Sequence, residues 1–233
     1  MDKHISQLQE MIEGSNYTVA ITGAGISTPT GIKDMEHMNF VQAIQTTSAA
    51  IVRARPDHCY KLLQKSFLKP MFETGPSVTH KKLAELEERS LLQGVITTNI
   101  DCLHSLAGSR NVAELQGSYG VNKCLKCGRQ YNDVQIWNQG KAPRCEECNG
   151  VIVAFPVYTH VGLSNEDYQK ASRWISQAEL VLVIGSKGMY GGYFNSINPR
   201  ARVAQVNPSG TSFDRMATLN IRRKADEVFG LLN

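Results

Sequence analysis

The chain has no stretch approaching the roughly 18 uninterrupted apolar residues of a membrane-spanning helix, so no membrane span is expected. Its opening residues, Met1 to Glu10, lack the apolar core of a secretory leader. A cytoplasmic, thiol-reducing setting is therefore the expectation, and a disulfide framework is not. Excess charge of one sign is also missing. Lys plus Arg number 25 and Asp plus Glu 21, a net +4, which is too small to mark a nucleic-acid-binding chain. No internal repeat or low-complexity tract occurs. The composition is not that of a disordered chain: 42% is hydrophobic and 20% charged, near globular averages. At 233 residues, one large domain or one domain with a small insert is expected. A chain of this size buries roughly 70% of its unfolded surface.

What is present is rhythmic. Apolar runs over 17–21, 94–98, 180–184 and 202–206 each end in small or polar residues. Runs with little alternation suit parallel strands buried on both faces. Between them lie helical patterns. One is amphipathic over 81–89 around Leu83 and Leu86, one starts after Ser164 as N-cap, and one closes the chain over 225–232. Alternating strands and helices predict an α/β fold, a Rossmann-like doubly wound parallel sheet. Two regions break the rhythm, a strand-free helical insert over 33–71 and a cysteine-bearing module over 120–159. Together they predict a small zinc-binding and helical domain. The NAD-binding domain is then expected over 1–32, 72–119 and 160–233.

The module carries the strongest local signal. Cys124 and Cys127, then Cys145 and Cys148, form two CxxC pairs at the spacing of a four-cysteine zinc site. Four thiolates close the coordination sphere, so Zn2+ there is structural. Lys123, Lys126, Arg129 and Arg144 add positive charge that favours thiolate. Cys59 reads as a buried apolar residue. Cys102, after Asp101, reads as a pocket-lining residue without a reactive role.

A second signal is Gly23-Ala24-Gly25-Ile26-Ser27 directly after the first strand. Glycines there let backbone N–H groups approach a pyrophosphate. Thr28 stands where a third glycine would complete the dinucleotide fingerprint, and no acidic residue closes a second strand about twenty residues on. Other strand ends add Asn99, Asp101, Gly185, Ser186 and Asn207. Ligands bind beyond the carboxyl ends of open parallel sheets, so these residues suggest a nucleotide site. The alternative is that Asn99 and Asp101 only cap the following helix.

These pieces resemble the sirtuin family. The resemblance rests on Gly23 to Ser27, Gly31-Ile32, Thr98-Asn99-Ile100-Asp101, Leu103-His104, Ala107-Gly108, Glu114-Leu115-Gln116-Gly117, the CxxC pairs, Gly185-Ser186 and Val206-Asn207. It spans about 17–229. It implies NAD as cofactor and cleavage of the nicotinamide–ribose bond. Gly23, Ala24, Gly25 and Ile26 would hold phosphates. Ile100 and Asp101 would position nicotinamide, Asn99 the ribose, and Gln116 the ribose hydroxyls. Gly185, Ser186 and Asn207 would meet phosphate and the adenosine ribose. The resemblance extends the cofactor set to Asp34, Thr98, Ala225 and Asp226.

The departures are equally specific. Sirtuin deacylases read Gly-Ile-Pro-Asp-Phe-Arg where this chain has Gly31-Ile32-Lys33-Asp34-Met35-Glu36. Their Gln-Asn-Ile-Asp begins here with Thr98, and their Phe-Gly-Glu is Phe155-Pro156-Val157. Their catalytic His-Gly is Gln116-Gly117. Glutamine orients but accepts no proton at physiological pH. Other titratable groups nearby are Asp34, Glu36, His37 and His104. His104 reads as a packed structural residue, Glu36 as solvent-facing. The Thr97-Thr98-Asn99-Ile100-Asp101 and Gln116-Gly117-Ser118-Tyr119-Gly120 runs are similar to macrodomain-linked (class M) sirtuins, which carry Gln at this position and ADP-ribosylate proteins. The expected function is NAD-dependent protein ADP-ribosyl transfer, with Asn99, Asp101 and Gln116 as catalytic residues. The alternatives are an NAD or ADP-ribose sensor, a weak deacylase acting on acyl-lysine, or an inert domain with a zinc-ribbon interaction surface. The protein partner is not legible, and nucleic acid and membrane are not expected as partners.

Overall fold

The structure, a computed structural model, describes residues 2–32, 49–155, 164–188 and 196–233. Helix α1 (Lys3–Glu13) starts where the Asp2 side chain accepts the His4 N–H at 3.0 Å. Its Ile5, Leu8, Met11 and Ile12 recur at helical spacing and are all buried. The main sheet contains β1 (Thr18–Thr22), β2 (Gly94–Thr97), β3 (Val112–Glu114), β7 (Leu180–Ile184), β8 (Arg202–Val206) and β9 (Leu219–Ile221). Its order is β3-β2-β1-β7-β8-β9, and every pairing is parallel.

Both faces are covered, which explains the unbroken apolar runs. In β1, Ala20 points into a core shared with α1, while Val19 and Ile21 point into the opposite one. The first core includes α4 (Val78–Glu88) and the terminal helix α7 (Ala225–Phe229). The second includes Ala171 and Ile175 of α6 (Asn165–Gln177). Ser164 caps α6 as the sequence suggests, accepting the Asp167 N–H at 3.4 Å. Fully burying one such Val or Ile stabilises the fold by about 1.5–3 kcal/mol. The terminal helix is shorter than the expected 225–232, because the chain closes at Gly230, whose N–H returns to Asp226.

Of the segment 33–71 expected to form a helical insert, 33–48 lie outside the described residues, and helical structure is described from residue 49 to Thr74. Helices α2 (Ala49–Ala54) and α3 (Pro56–Leu63) run into two π-helical turns, Gln64–Leu68 and Pro70–Thr74. Pro70 lacks an N–H for a regular ladder, which suits a widened turn. Between α4 and the sheet's second half come α5 (Leu103–Ala107) and a small antiparallel sheet. That sheet has order β5-β4-β6, built from β4 (Ser118–Cys124), β5 (Gln130–Tyr131) and β6 (Ile152–Phe155). The insert and this sheet share one apolar core, with Tyr60, Leu68 and Met71 against Tyr119, Trp137 and Val153. The Tyr60 hydroxyl donates to the Trp137 carbonyl at 3.0 Å, and Trp137 Nε1 donates to Asn122 Oδ1 at 2.8 Å.

Candidate active site and zinc centre

Strand β1 has β2 on one side and β7 on the other, so the chain reverses its order of strand addition there. A crevice opens beyond the strand ends at such a switch point. The loop after β1 and the loop after β7 meet in it. Gly25 N–H donates to the Gly185 carbonyl at 2.9 Å. A Cβ on Gly25 would lie 2.8 Å from Gly185 Cα, and one on Gly185 would lie 2.5 Å from Ile26 N. Gly185 also has φ +59°. The glycines are therefore required first by loop-to-loop packing. The same bare backbone leaves room for a phosphate to approach.

Ser27, buried at the end of the first loop, is the hub of the site. It donates to Asp101 Oδ2 at 2.7 Å and accepts from Asn99 Nδ2 at 3.1 Å. Asn99 Nδ2 also donates to the Gly23 carbonyl at 3.1 Å. Both amide hydrogens of Asn99 are thus engaged, and its carbonyl oxygen remains the group it can present to a ligand. Asp101 Oδ1 accepts the Leu103 N–H at 3.0 Å. Helix capping and site-building are here one arrangement rather than alternatives. Burial pushes the Asp101 carboxyl up, opposed by its bond from Ser27.

Gln116 is half-buried in the turn between β3 and β4. Gly117 closes that turn at φ +73°, and Tyr119 N–H donates to the Ile100 carbonyl at 3.0 Å. The turn is thereby held against the 99–101 segment. Asn207 Nδ2 donates to the Ser186 carbonyl at 3.2 Å, joining the loops after β7 and β8. Ala225 opens α7, which packs on the 24–26 turn. Thr98 N–H donates to the Thr22 carbonyl at 3.5 Å, between the ends of β1 and β2.

Other sequence-selected residues have different occupations. The Asp226 carboxylate accepts from Thr79 N at 3.0 Å and Thr79 Oγ1 at 2.6 Å, so its side chain joins α7 to the start of α4. Cys102 is buried at φ +59°, and burial, then Glu114, pushes its thiol up to about 12. That is not the environment of a nucleophile. Arg129 and Arg144 are paired with Glu147 and Asp57, so their charge is not simply held for the thiolates. Asp34, Glu36 and His37, with Pro156 and Val157, lie outside the described residues.

The sequence motifs include Ser27 and Glu114 without giving either a role of its own, and His80 carries no sequence signal. Glu114 ends β3, and burial raises its carboxyl to about 7 against a bond from Ser118. His104 is buried, with Nε2 2.9 Å from Thr22 Oγ1 and its ring 4.6 Å from that of His80. Burial lowers both imidazoles, His80 to about 4 and His104 well below its ordinary value, so both are neutral at pH 7. A histidine held below its unfolded value refuses a proton that the unfolded chain accepts. Its stabilisation is complete above about pH 6.5 and is lost as pH falls through the folded value. We expect His80 alone to cost up to roughly 3 kcal/mol between pH 6.5 and 4, with His104 adding in the same direction. Urea unfolding across that window checks this, and a flat stability profile would contradict the assignment.

In the small sheet the four cysteine sulfurs lie within 4.8 Å of one another. Cys124 and Cys148 sulfurs are 3.5 Å apart, Cys127 and Cys145 3.6 Å. Zn–S bonds of 2.3 Å in a tetrahedron require about 3.8 Å between sulfurs, so the set fits one Zn2+. Gly128 turns at φ +76°, and a Cβ on Gly150 would lie 2.7 Å from Cys124 Sγ. These four cysteines are positioned to bind a structural zinc.

Residues 23–189 match the model of the Sir2 family. An NAD-dependent protein deacetylase of Clostridium perfringens is 30% identical over 99% of this chain and 98% of its own. NAD-dependent protein deacetylase 1 of Pyrobaculum aerophilum is 33% identical over 96% and 91%. Among solved structures, one of Sir2 with a p53 peptide and NAD+ superposes with TM-score 0.79 at 29% identity, covering 97% of this chain and 95% of that one. Sir2Tm bound to a propionylated peptide gives TM-score 0.79 at 29% identity, covering 99% and 96%.

Proposed function

The chain belongs to the Sir2 family, and from that footing we propose that it transfers ADP-ribose from NAD to a protein side chain. The observation that carries this reading is Gln116, an amide where the family's deacylases hold a histidine base. NAD, when bound, would supply a ribose whose bond to nicotinamide breaks heterolytically, the pair leaving with nicotinamide, as the acceptor nucleophile arrives and gives any proton it carries to water. Every other requirement falls to the chain. Gly23, Ala24, Gly25, Ile26, Gly185 and Ser186 would hold the phosphates. Asn207, with Ala225 and Asp226 through their backbone at the start of α7, would border the adenosine, and Thr98 the inner ribose. Asn99 would offer its carbonyl oxygen to a ribose hydroxyl. Asp101 and Ile100 would hold the carboxamide of the leaving group. Gln116 would orient hydroxyls without removing a proton, which suffices for transfer but not for base-dependent deacylation.

Among the described residues, no nearby group is free to replace the base. His104 is neutral, buried and bonded to Thr22. Asp101 already accepts from Ser27 and Leu103. The Glu114 carboxyl is buried and bonded by Ser118. The Gln116 to Gly120 run supports a place among class M sirtuins. The NAD-binding unit would comprise 1–32, 72–119 and 160–233, with 33–71 and 120–159 forming the small domain.

Incubation with NAD labelled in its adenylate, together with candidate acceptor proteins, should move label onto protein and release nicotinamide in equal amount. Nicotinamide release that depends on an acyl-lysine peptide, with no label on protein, would replace this reading with deacylation. That second reading is favoured by the names of the curated relatives. Calorimetric NAD binding with no release of nicotinamide would make the chain a sensor.

A further inference from the structure

The two CxxC knuckles are alike in sequence but not in their surroundings. Cys124 and Cys145, the first cysteine of each pair, accept backbone N–H groups from their own knuckles. Lys126 N–H, for example, lies 3.4 Å from Cys124 Sγ. Cys145 has an additional partner. The hydroxyl of Tyr131 donates to Cys145 Sγ at 3.1 Å. Among the described residues no other zinc-set sulfur receives a side-chain hydroxyl.

The placement of this phenol is constrained. Tyr131 lies in β5, paired with Asn122 of β4, the strand that ends in Cys124. Its ring packs on the apolar cluster of Cys124, Cys145 and Ile152. The ring also lines an open cavity of about 460 Å³ with Asp57, Arg144 and Asn149. A half-buried tyrosine on such a wall could leave its hydroxyl in water. Here the hydroxyl instead ends on a sulfur, and packing alone would be satisfied by phenylalanine.

We propose that Tyr131 is a positioning residue of the zinc centre, its hydroxyl orienting the Cys145 thiolate and retaining the metal. Four thiolates around Zn2+ leave two net negative charges, and hydrogen bonds to sulfur spread that charge. Partners of this outer shell typically contribute 10- to 100-fold in metal affinity. The knuckle amides serve both halves of the site, whereas Tyr131 serves Cys145 alone.

The test uses the full chain carrying Tyr131→Phe, which removes one oxygen and leaves the ring in place. Competition with a chromophoric chelator should show zinc affinity reduced about tenfold or more. In the cobalt-substituted protein, the thiolate-to-cobalt charge-transfer band should move to lower energy, because a sulfur without its donor is a better electron donor. Loss of packing would not produce that shift. Zinc affinity within twofold of the parent, or an unmoved band, would overturn the proposal. Neither readout involves NAD, so the outcome is independent of the transferase reading.

Discussion

Cys124→Ser is expected to empty the zinc centre and unfold the cysteine knuckles, while sparing the parallel sheet and the apolar core that the small sheet shares with the helical insert. Cys124 is buried at the end of β4, and its sulfur lies 3.5 Å from that of Cys148. Free energies of about 10–16 kcal/mol attach to zinc binding in isolated four-ligand peptides. The cluster that directly surrounds the sulfurs contains only Cys124, Cys145 and Ile152 as fully buried residues. So small a core does not replace the metal. The consequence reaches the candidate active site, because β4 continues from the turn that holds Gln116. Among the described residues, the two cores that clamp the parallel sheet contain none from the cysteine module. Zinc content by atomic absorption should fall from stoichiometric to about none. Amide exchange over 124–150 should accelerate by orders of magnitude more than over β1, β7 and β8. Stoichiometric zinc in the variant would reject the four-thiolate assignment.

Gln116→His carries the largest expected change in activity. A positioned base contributes roughly 10²–10⁴ in rate. Gln116 already sits half-buried in a turn tied to Ile100, so on the proposed reading an imidazole there would meet the hydroxyls assigned to the amide. Deacylation of an acetyl-lysine peptide should therefore rise about 10²- to 10⁴-fold over the parent. Label transfer to protein should change by far less, since orientation rather than proton removal is what the amide contributes. The pH profile of the gained activity should rise through the titration of the introduced imidazole. Equal deacylation by parent and variant would mean that the parent has another base. Glu114, poised near neutrality, would then be the first residue to replace.

Features carried by local spacing were legible in the sequence. The two CxxC pairs converge as their spacing predicts. The strand runs were readable because both faces of the sheet are covered, leaving no polar alternation to confuse the pattern. The Ser164 cap depends on a donor only three residues away. Asp226 shows where this stops. The resemblance places it in the cofactor set, and nothing local in the sequence shows that its carboxylate serves Thr79, 147 positions distant in the chain. The role of Ser27 was hidden likewise, because its partners Asn99 and Asp101 lie on another strand's loop.

By itself the sequence determined the kind of fold and the metal-ligand set, because composition, spacing and side-chain type are properties of the chain, and through its resemblance it placed the Gln116 amide where deacylases hold a histidine. Only the tertiary structure decided how those groups are committed. It showed the Asn99 amide hydrogens engaged with Gly23 and Ser27, the His80 and His104 rings buried in tilted contact, and a phenol on the sulfur of Cys145. Hydrogen bonds and burial of this kind depend on distances between residues remote in sequence, and those distances exist only once the chain has folded.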